Sequence, residues 1–151
     1  MKTWLRVFIA ATLLATVSGA YATESAQERT NIRNVEAFYD AAINAKDFDR
    51  ARTYIGDHYT QHNPTARDGT EGLKAFVEFL RTKFPDSHSE IKQAFADGRY
   101  VILHVHSVRV PGTRGRAIVD IFRLDDRGKV VEHWDVVQDI PEKSANANTM
   151  F

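Results

Sequence analysis

The sequence contains no cysteine, so neither disulfide bonds nor thiol chemistry can contribute to its stability or its activity. It also lacks a glycine-rich loop of the kind that cradles phosphate groups, and we therefore predict no organic cofactor. Acidic and basic side chains balance at 20 each. Such a balance gives no net attraction to a phosphate backbone, which excludes nucleic acid as an expected partner.

Long apolar runs are scarce as well, and the one that stands out lies at the N-terminus. Lys2 and Arg6 accompany the run "VFIAATLLATV", which is too short to span a bilayer comfortably, and "AYA" offers small residues at the expected cleavage spacing. We interpret residues 1–22 as a cleaved secretory signal peptide, with an uncleaved membrane anchor as the alternative. The mature domain, residues 23–151, would then be periplasmic or secreted, with no membrane segment.

Helical periodicity is confined to the first part of the mature domain. Apolar residues recur at steps of three and four over residues 32–43, which predicts an amphipathic helix. Asp47 can cap a second, short helix that we expect to end at Gly56, and a third helix is predicted over residues 70–84. The segment "DHYTQHNP" between the last two helices has the character of an irregular loop, which we place at the rim of a pocket.

After Pro85 the apolar period changes from helical to two, which predicts β-strands. Four segments fit this pattern, and a hairpin loop "DDRG" joins the last two: "SEIKQAF", "RYVILHVHSVRV", "RAIVDIFRL" and "KVVEHWDVVQDI". Helices followed by an antiparallel sheet define an α+β fold. A twisted sheet with helices on one face leaves room for a pocket between the two layers.

The last two predicted strands carry ionisable residues among apolar ones, although such groups are rarely buried without a partner. Asp120 lies in the middle of an otherwise apolar strand. On the last strand, His133 and Asp135 share one face, whereas Trp134 and Val136 share the other. We predict that the first face lines the pocket. The second would be exposed in a monomer and, because a large exposed apolar patch usually marks a partner surface, we predict a homodimer through this outer face.

The register of the last hairpin decides which of these side chains meet. A four-residue loop places Asp120 opposite Asp135, a three-residue loop places it opposite Trp134, and a bulge could combine the two arrangements. We favour the arrangement that brings Asp120, His133 and Asp135 together.

Several segments resemble those of a known family: "YTQHNP", "GLKAF", "HVHS", "VDIFRLDDRGKVVEHWDVVQ" and the ending "NANTMF". Together they resemble the SnoaL-like family of the nuclear transport factor 2-like superfamily, over residues 31–151. The stretch around "EHWD" is the most specific part. The resemblance implies a cone-shaped α+β domain, in which a strongly curved antiparallel β-sheet packs on N-terminal helices and encloses an internal pocket.

The resemblance also implies a function. In the polyketide cyclases of this family, an aspartate on the last strand is the acid/base for an intramolecular aldol closure, and Asp135 matches that residue. Asp120 stands where the cyclases have a histidine, which is a departure from their pattern. We predict an exported enzyme in which Asp135 acts as base on a small apolar carbonyl compound, while His133 orients it and Asp120 contacts the substrate oxygen.

Five further polar residues are predicted to line the pocket and bind the substrate: Tyr39, His62, Asn63, His104 and His106.

Two alternatives stay open at this point. His104 and His106 could form a metal site with His133 or Asp120, in the pattern of two histidines and one carboxylate. Our prediction is hydrogen bonding in the pocket instead, with no metal. A non-catalytic periplasmic domain that binds a small molecule, or an accessory subunit, is the alternative to an enzyme, because fold does not fix function.

Overall fold

A computed structural model describes residues 24–151, so the predicted signal peptide over residues 1–22 lies outside the described range. The helices are α1 (Ala26–Tyr39), which continues into a π-helical turn (Asp40–Asn44), α2 (Phe48–Arg52) and α3 (Gly69–Lys83). The strands are β1 (Ile55–Gln61), β2 (His88–Asp97), β3 (Tyr100–Val108), β4 (Arg116–Leu124) and β5 (Val130–Asp139). In this part of the chain, no helix is both long enough and apolar enough to cross a membrane.

The five strands form one curved, open sheet in the order β1-β5-β4-β3-β2, with the helices packed on it. Strands β2 to β5 pair antiparallel, each with its neighbour along the chain. Strand β1 is the exception because it pairs parallel to β5. The predicted α+β architecture is therefore confirmed, and the sheet is antiparallel except at the β1 edge.

Helix α1 fixes the inner layer of the fold. It begins at a capping box in which Ser25 accepts a hydrogen bond from the backbone of Glu28 and receives the Glu28 carboxylate at its own backbone N–H. Its apolar stripe ends in Phe38 and Tyr39, whose rings meet Phe122 of β4 edge-on at centroid distances of 5.8 and 6.5 Å. These contacts press the helix against the concave face of the sheet.

The second helix and the segment after it differ from the sequence prediction. Helix α2 ends at Arg52, and part of the segment that we expected to be irregular is strand β1. Gly56 does not cap a helix but lets β1 approach β5 closely. A Cβ atom at this position would lie 2.6 Å from Cγ1 of Val131.

The β4–β5 hairpin adopts the arrangement that we favoured. Asp120 pairs with Asp135, and Phe122 pairs with His133. The register shifts by one residue nearer the loop, where Leu124 pairs with Val130. The hairpin therefore combines a short loop with a bulge, and the bulge turns both His133 and Asp135 toward the inner face.

Candidate functional site

A cavity of about 520 Å³ lies between the helices and the concave face of the sheet. Such a volume suits a small organic molecule. Six of the apolar side chains that line it come from α1, the π-helical turn, α3 and β4: Phe38, Ile43, Leu73, Phe76, Ile118 and Phe122. Polar groups therefore project into a mainly apolar space, where charges interact more strongly than in water.

Strands β4 and β5 bring three ionisable side chains into this cavity. Asp120, His133 and Asp135 each offer a side-chain nitrogen or oxygen atom within 4.8 Å of the others. All three belong to the cavity wall. Their meeting is the one predicted by the favoured hairpin register, because directly paired residues on antiparallel strands share a face. One imidazole nitrogen with two carboxylates is also a donor set that can bind a divalent metal ion.

The hydrogen bonds of His133 determine where its protons lie. Its Nδ1 is 3.1 Å from Oε1 of Gln61, and the same oxygen accepts the backbone N–H of Asn63 at 2.8 Å. Because a backbone N–H can only donate, this Gln61 atom is the amide oxygen, and His133 Nδ1 must carry a proton. His133 Nε2 then faces Oδ1 of Asp120 at 3.0 Å, and the two atoms share one further proton.

Asp120 is the most strongly buried carboxylate of the site, at 4 % exposure. Burial raises its pKa above the usual value, and the hydrogen bond and charge of His133 oppose that rise only in part. Its Oδ2 atom is buried without a hydrogen-bond partner of good geometry among residues 24–151, although the Tyr39 hydroxyl lies near enough to Asp120 to oppose the rise of its pKa. An unpartnered buried carboxylate oxygen is costly, which further favours a pair that retains its proton.

Asp135 has a different environment. It is only partly buried, and both of its oxygens accept from Nδ2 of Asn63, at 2.8 and 2.7 Å. The Asn63 amide cannot be turned around, because its oxygen accepts from the backbone N–H and the hydroxyl of Thr65. Asn63 thus presents a donor to both oxygens of Asp135.

The site therefore combines two carboxylates in different surroundings. Asp135 is held as a hydrogen-bond acceptor at the cavity wall, while Asp120 and His133 hold a proton a few ångströms away. The two carboxylates therefore differ in their hydrogen-bond partners and in their burial, although they are the same residue type. We expected His133 to orient Asp135, but the structure assigns that task to Asn63.

Tyr39 lies where the sequence predicted, at the end of α1 and in the cavity wall. It is buried at 5 % exposure, and its pKa is raised well above the usual value, first by burial and then by the negative charge of Asp120. Its hydroxyl therefore stays protonated and can donate a hydrogen bond inside the cavity.

His62 does not line the cavity, contrary to the prediction. Its ring stacks on Trp134 at a centroid distance of 4.6 Å, and its Nε2 lies 2.8 Å from Oε1 of Glu132. Both partners belong to the outer face of β5. The reason is the strand period, because alternation after Tyr59 turns Asn63 inward and His62 outward.

His104 and His106 also lie on the outer face, so they cannot contact a ligand in the cavity. Asp120 pairs with Leu103, which places the next residue along β3 on the opposite side of the sheet. Both histidine rings pack against Phe151, at centroid distances of 5.2 and 4.8 Å. The metal site proposed from His104 and His106 with Asp120 or His133 is therefore excluded by geometry.

Sequence reasoning missed several polar contributors to the cavity, three of which matter for its chemistry. Gln61 fixes the His133 tautomer, and Arg109 and Arg116 line the cavity wall at the end of β3 and the start of β4. The strand period of "YTQHN" would have revealed Gln61, which shares a face with Tyr59. Arg116 is four residues before Asp120 on β4 and thus on the same face.

Fold and site together define an α+β domain with a pocket between helices and sheet, of a size that suits a small molecule. The family model for the SnoaL-like domain matches residues 35–133, which is more than half of the chain. The protein therefore belongs to the SnoaL-like family, and the resemblance seen in the sequence is confirmed. A comparison with curated protein sequences gives no significant match.

Solved structures share the fold. A SnoaL-like protein of unknown function from Burkholderia thailandensis aligns with a TM-score of 0.62 at 18 % identity, over 74 % of this chain and 96 % of that chain. A candidate isomerase of the SnoaL-like family from Agrobacterium tumefaciens gives 0.61 at 19 % identity, with 72 % and 98 % covered. A candidate polyketide cyclase from Bacillus cereus gives 0.58 at 20 %, with 72 % and 74 % covered. At such identities the likeness establishes the architecture alone.

Proposed function

We propose that this protein is an enzyme that moves a proton α to the carbonyl group of a small, largely apolar compound, in an isomerase-type or aldol-type reaction. The observation that carries the proposal is the pairing of an accessible carboxylate, Asp135, with a proton-holding pair, His133 and Asp120, within 4.8 Å in an apolar cavity. The isomerase and polyketide cyclase descriptions of structural neighbours agree with this class of chemistry.

The proton transfers follow from the hydrogen bonds. Asp135 removes the α-proton, and the electrons of the broken C–H bond form a carbon–carbon double bond while the carbonyl π electrons move to oxygen. The proton shared by His133 and Asp120 moves to that oxygen, which gives a neutral enol. In an isomerase Asp135 returns its proton to another carbon of the enol while the enol O–H proton goes back to the His133–Asp120 pair. In an aldol closure the enol carbon attacks a second carbonyl group of the same molecule, whose oxygen takes the proton from Asp135 while the enol O–H proton returns to the pair.

Two further properties belong to the proposal. We propose that residues 1–22 direct export and are removed, so that the domain acts in the periplasm or outside the cell. We also propose that the protein forms a homodimer through the outer face of its sheet, which carries an exposed apolar patch. A dimer formed through the outer face would leave the cavity on the concave face open to the ligand.

Proton abstraction can be tested without the natural substrate. The purified protein is incubated in heavy water with a panel of aryl and polycyclic ketones, and deuterium at the α-carbon is followed by mass spectrometry. We expect exchange above the uncatalysed rate for at least one ketone. Asp135→Asn should lower the enzymatic rate by about a hundredfold or more, since a positioned general base typically contributes that much.

Glu132→Gln is the matched control, because it removes a partly buried carboxylate from the same strand but from the opposite face. It should leave the exchange rate close to that of the wild type. Ketones that bind but undergo no exchange in the wild type would instead support the non-catalytic binding domain. Equal rates in the wild type and Asp135→Asn would remove Asp135 from the role of base.

A further inference from the structure

The cavity contains a second polar region, at some distance from the three ionisable groups described above. Arg109 and Arg116 line the same cavity as Asp120 and Asp135. Arg116 shares a face of β4 with Asp120 and lies four residues before it, which corresponds to about 13 Å along a strand. The cavity is thus polar toward both ends, with the apolar Ile118 between them.

The two arginines differ in their partners. Nε of Arg116 binds Oδ1 of Asp139 at 2.9 Å. Arg109 forms no ion pair with any carboxylate of residues 24–151, and its guanidinium group rests on the ring of Phe84, with the central carbon 5.6 Å from the ring centroid. Contact with an aromatic face orients a guanidinium group but does not neutralise its charge.

The surroundings of Arg109 also disfavour its positive charge. It is partly buried, and burial followed by the positive charge of Arg116 lowers its pKa below the usual value. A partly desolvated cation beside a second cation is stabilised by any anion that enters between the cavity walls. Guanidinium groups bind carboxylates through two parallel hydrogen bonds, and one unpaired guanidinium matches the single charge of a carboxylate.

We infer that Arg109, with Arg116 beside it, is the binding site for a carboxylate of the substrate. The substrate class is then an apolar carbonyl compound with an acidic group several bonds from the reacting carbon, so that the acid lies at Arg109 while the carbonyl lies at Asp135 and His133. The assignment of the reacting end rests on the proposed function. The assignment of the acidic end rests only on the arginines.

The test compares an acid with its neutral ester in the same protein. Benzoylpropionate, benzoylbutanoate and benzoylpentanoate place a ketone and a carboxylate at increasing separation, and each has a methyl ester of nearly the same shape. Calorimetric titration should show that the wild type prefers the best acid over its ester by about tenfold or more, as expected for a charge-assisted hydrogen bond. Arg109→Gln should abolish this preference while the affinity for the ester stays within about twofold.

Two control variants sharpen the result. Arg109→Lys keeps the charge but not the two-pronged geometry, so it should retain part of the preference. Arg99→Gln removes an exposed arginine that pairs with Asp126, and it should behave like the wild type. Because the acid and the ester are compared within each variant, partial loss of folded protein affects both equally. An unchanged preference in Arg109→Gln, or no binding by any of the three acids, overturns the inference.

The binding test for the carboxylate site can be interpreted whether or not the proposed reaction takes place. If Arg109→Gln loses the acid preference while none of these ketones undergoes deuterium exchange, the carboxylate site stands and the proposed enzymatic function fails. If exchange depends on Asp135 but acids and esters bind alike in the wild type, the function stands and the carboxylate site fails. If inorganic phosphate displaces the acids more strongly than acetate does, the site prefers a doubly charged group and the carboxylate assignment is wrong.

Discussion

Asp120 and Asp135 are the same residue type on paired strands, yet the structure gives them different surroundings. Asp135 meets the amide donors of Asn63 and is partly open to the cavity. Asp120 meets the imidazole of His133 and is nearly fully buried. The distinction comes from the neighbouring side chains, so it can be tested by removing one carboxylate and following stability against pH.

Asp120→Asn should change the pH dependence of the free energy of unfolding. The pKa of Asp120 is raised in the folded protein, whereas an unfolded aspartate titrates at about 3.9. Above that pH the unfolded chain has lost a proton that the folded chain retains, so the wild type should lose stability as pH rises toward the folded pKa. The slope is at most about 1.4 kcal/mol per pH unit, and urea denaturation at several pH values measures it.

Asparagine cannot ionise, so Asp120→Asn should lack this part of the slope. It can still donate to Nε2 of His133, which then accepts, and the variant is expected to fold. Asp126→Asn removes an exposed carboxylate in the hairpin loop and serves as the control, with a profile parallel to that of the wild type. If the free energy of unfolding depends on pH in the same way in the wild type and in Asp120→Asn, Asp120 loses its proton over the same pH range in the folded and the unfolded state.

At the scale of elements, strand β1 explains which parts of the site could be predicted. The sequence identified the helices and four strands from periodicity, because both have a regular apolar spacing. It failed at β1, where the strand is half exposed and its alternation is weak. Because we predicted an irregular loop for this segment, we expected both His62 and Asn63 to line the pocket. In the structure β1 ends at Gln61, and the two residues that follow it point to opposite sides of the sheet, so that only Asn63 reaches Asp135 while His62 reaches Glu132.

The sequence was also insufficient to place the histidines of β3 on a particular face of the sheet. The sequence established that His104 and His106 share a face, but it could not decide whether that face is the inner or the outer one. The decision depends on pairing with β4, where Asp120 lies opposite Leu103. Long-range pairing also brings Gln61 to His133, across residues far apart in the chain. Contacts of this kind are set by register, which local patterns do not fix.

Gly56→Ala should destabilise the protein through the contact between β1 and β5. A Cβ atom at residue 56 would lie 2.6 Å from Cγ1 of Val131, a side chain that is 2 % exposed and has little room to move. We expect a loss of about 1–3 kcal/mol in the free energy of unfolding, the usual range for overpacking. Chemical denaturation monitored by tryptophan fluorescence measures this loss.

Val131→Ala is the background in which to repeat the Gly56→Ala change, because it removes Cγ1 of Val131, the atom that the new methyl group would crowd. In a double-mutant cycle, Gly56→Ala should cost clearly less in the Val131→Ala protein than in the wild type. Equal costs in both backgrounds would mean that the loss arises from the backbone of β1 and not from crowding against β5.

At the scale of the whole molecule, the two faces of the sheet carry different side chains. The concave face carries the cavity and the paired ionisable groups. The outer face carries a row of apolar side chains that are cross-strand partners on four successive strands: Phe95, Ile102, Ile121 and Trp134. Val119 and Val136 form the next pair in the same surface. An apolar row of this length is typical of a surface that another molecule covers.

The proposed homodimer places this surface at the interface, and Val136, which is 69 % exposed, is the residue to change. Size-exclusion chromatography with light scattering should give the mass of two chains for the wild type. Val136→Glu should raise the dimer dissociation constant by about a hundredfold or more, because a buried interfacial charge would lack a partner.

Val110 offers a control, since it is a valine at 51 % exposure in the loop between β3 and β4, away from the apolar row. Val110→Glu introduces the same charge and should leave the dimer intact. Deuterium exchange measured on both variants then shows whether the reaction depends on the dimer. The cavity opens on the other side of the sheet, and Asp120, His133 and Asp135 all come from one chain. We therefore expect monomeric Val136→Glu to keep its exchange activity. A wild type that elutes as a monomer at all concentrations would exclude the homodimer and leave the apolar row for a different partner.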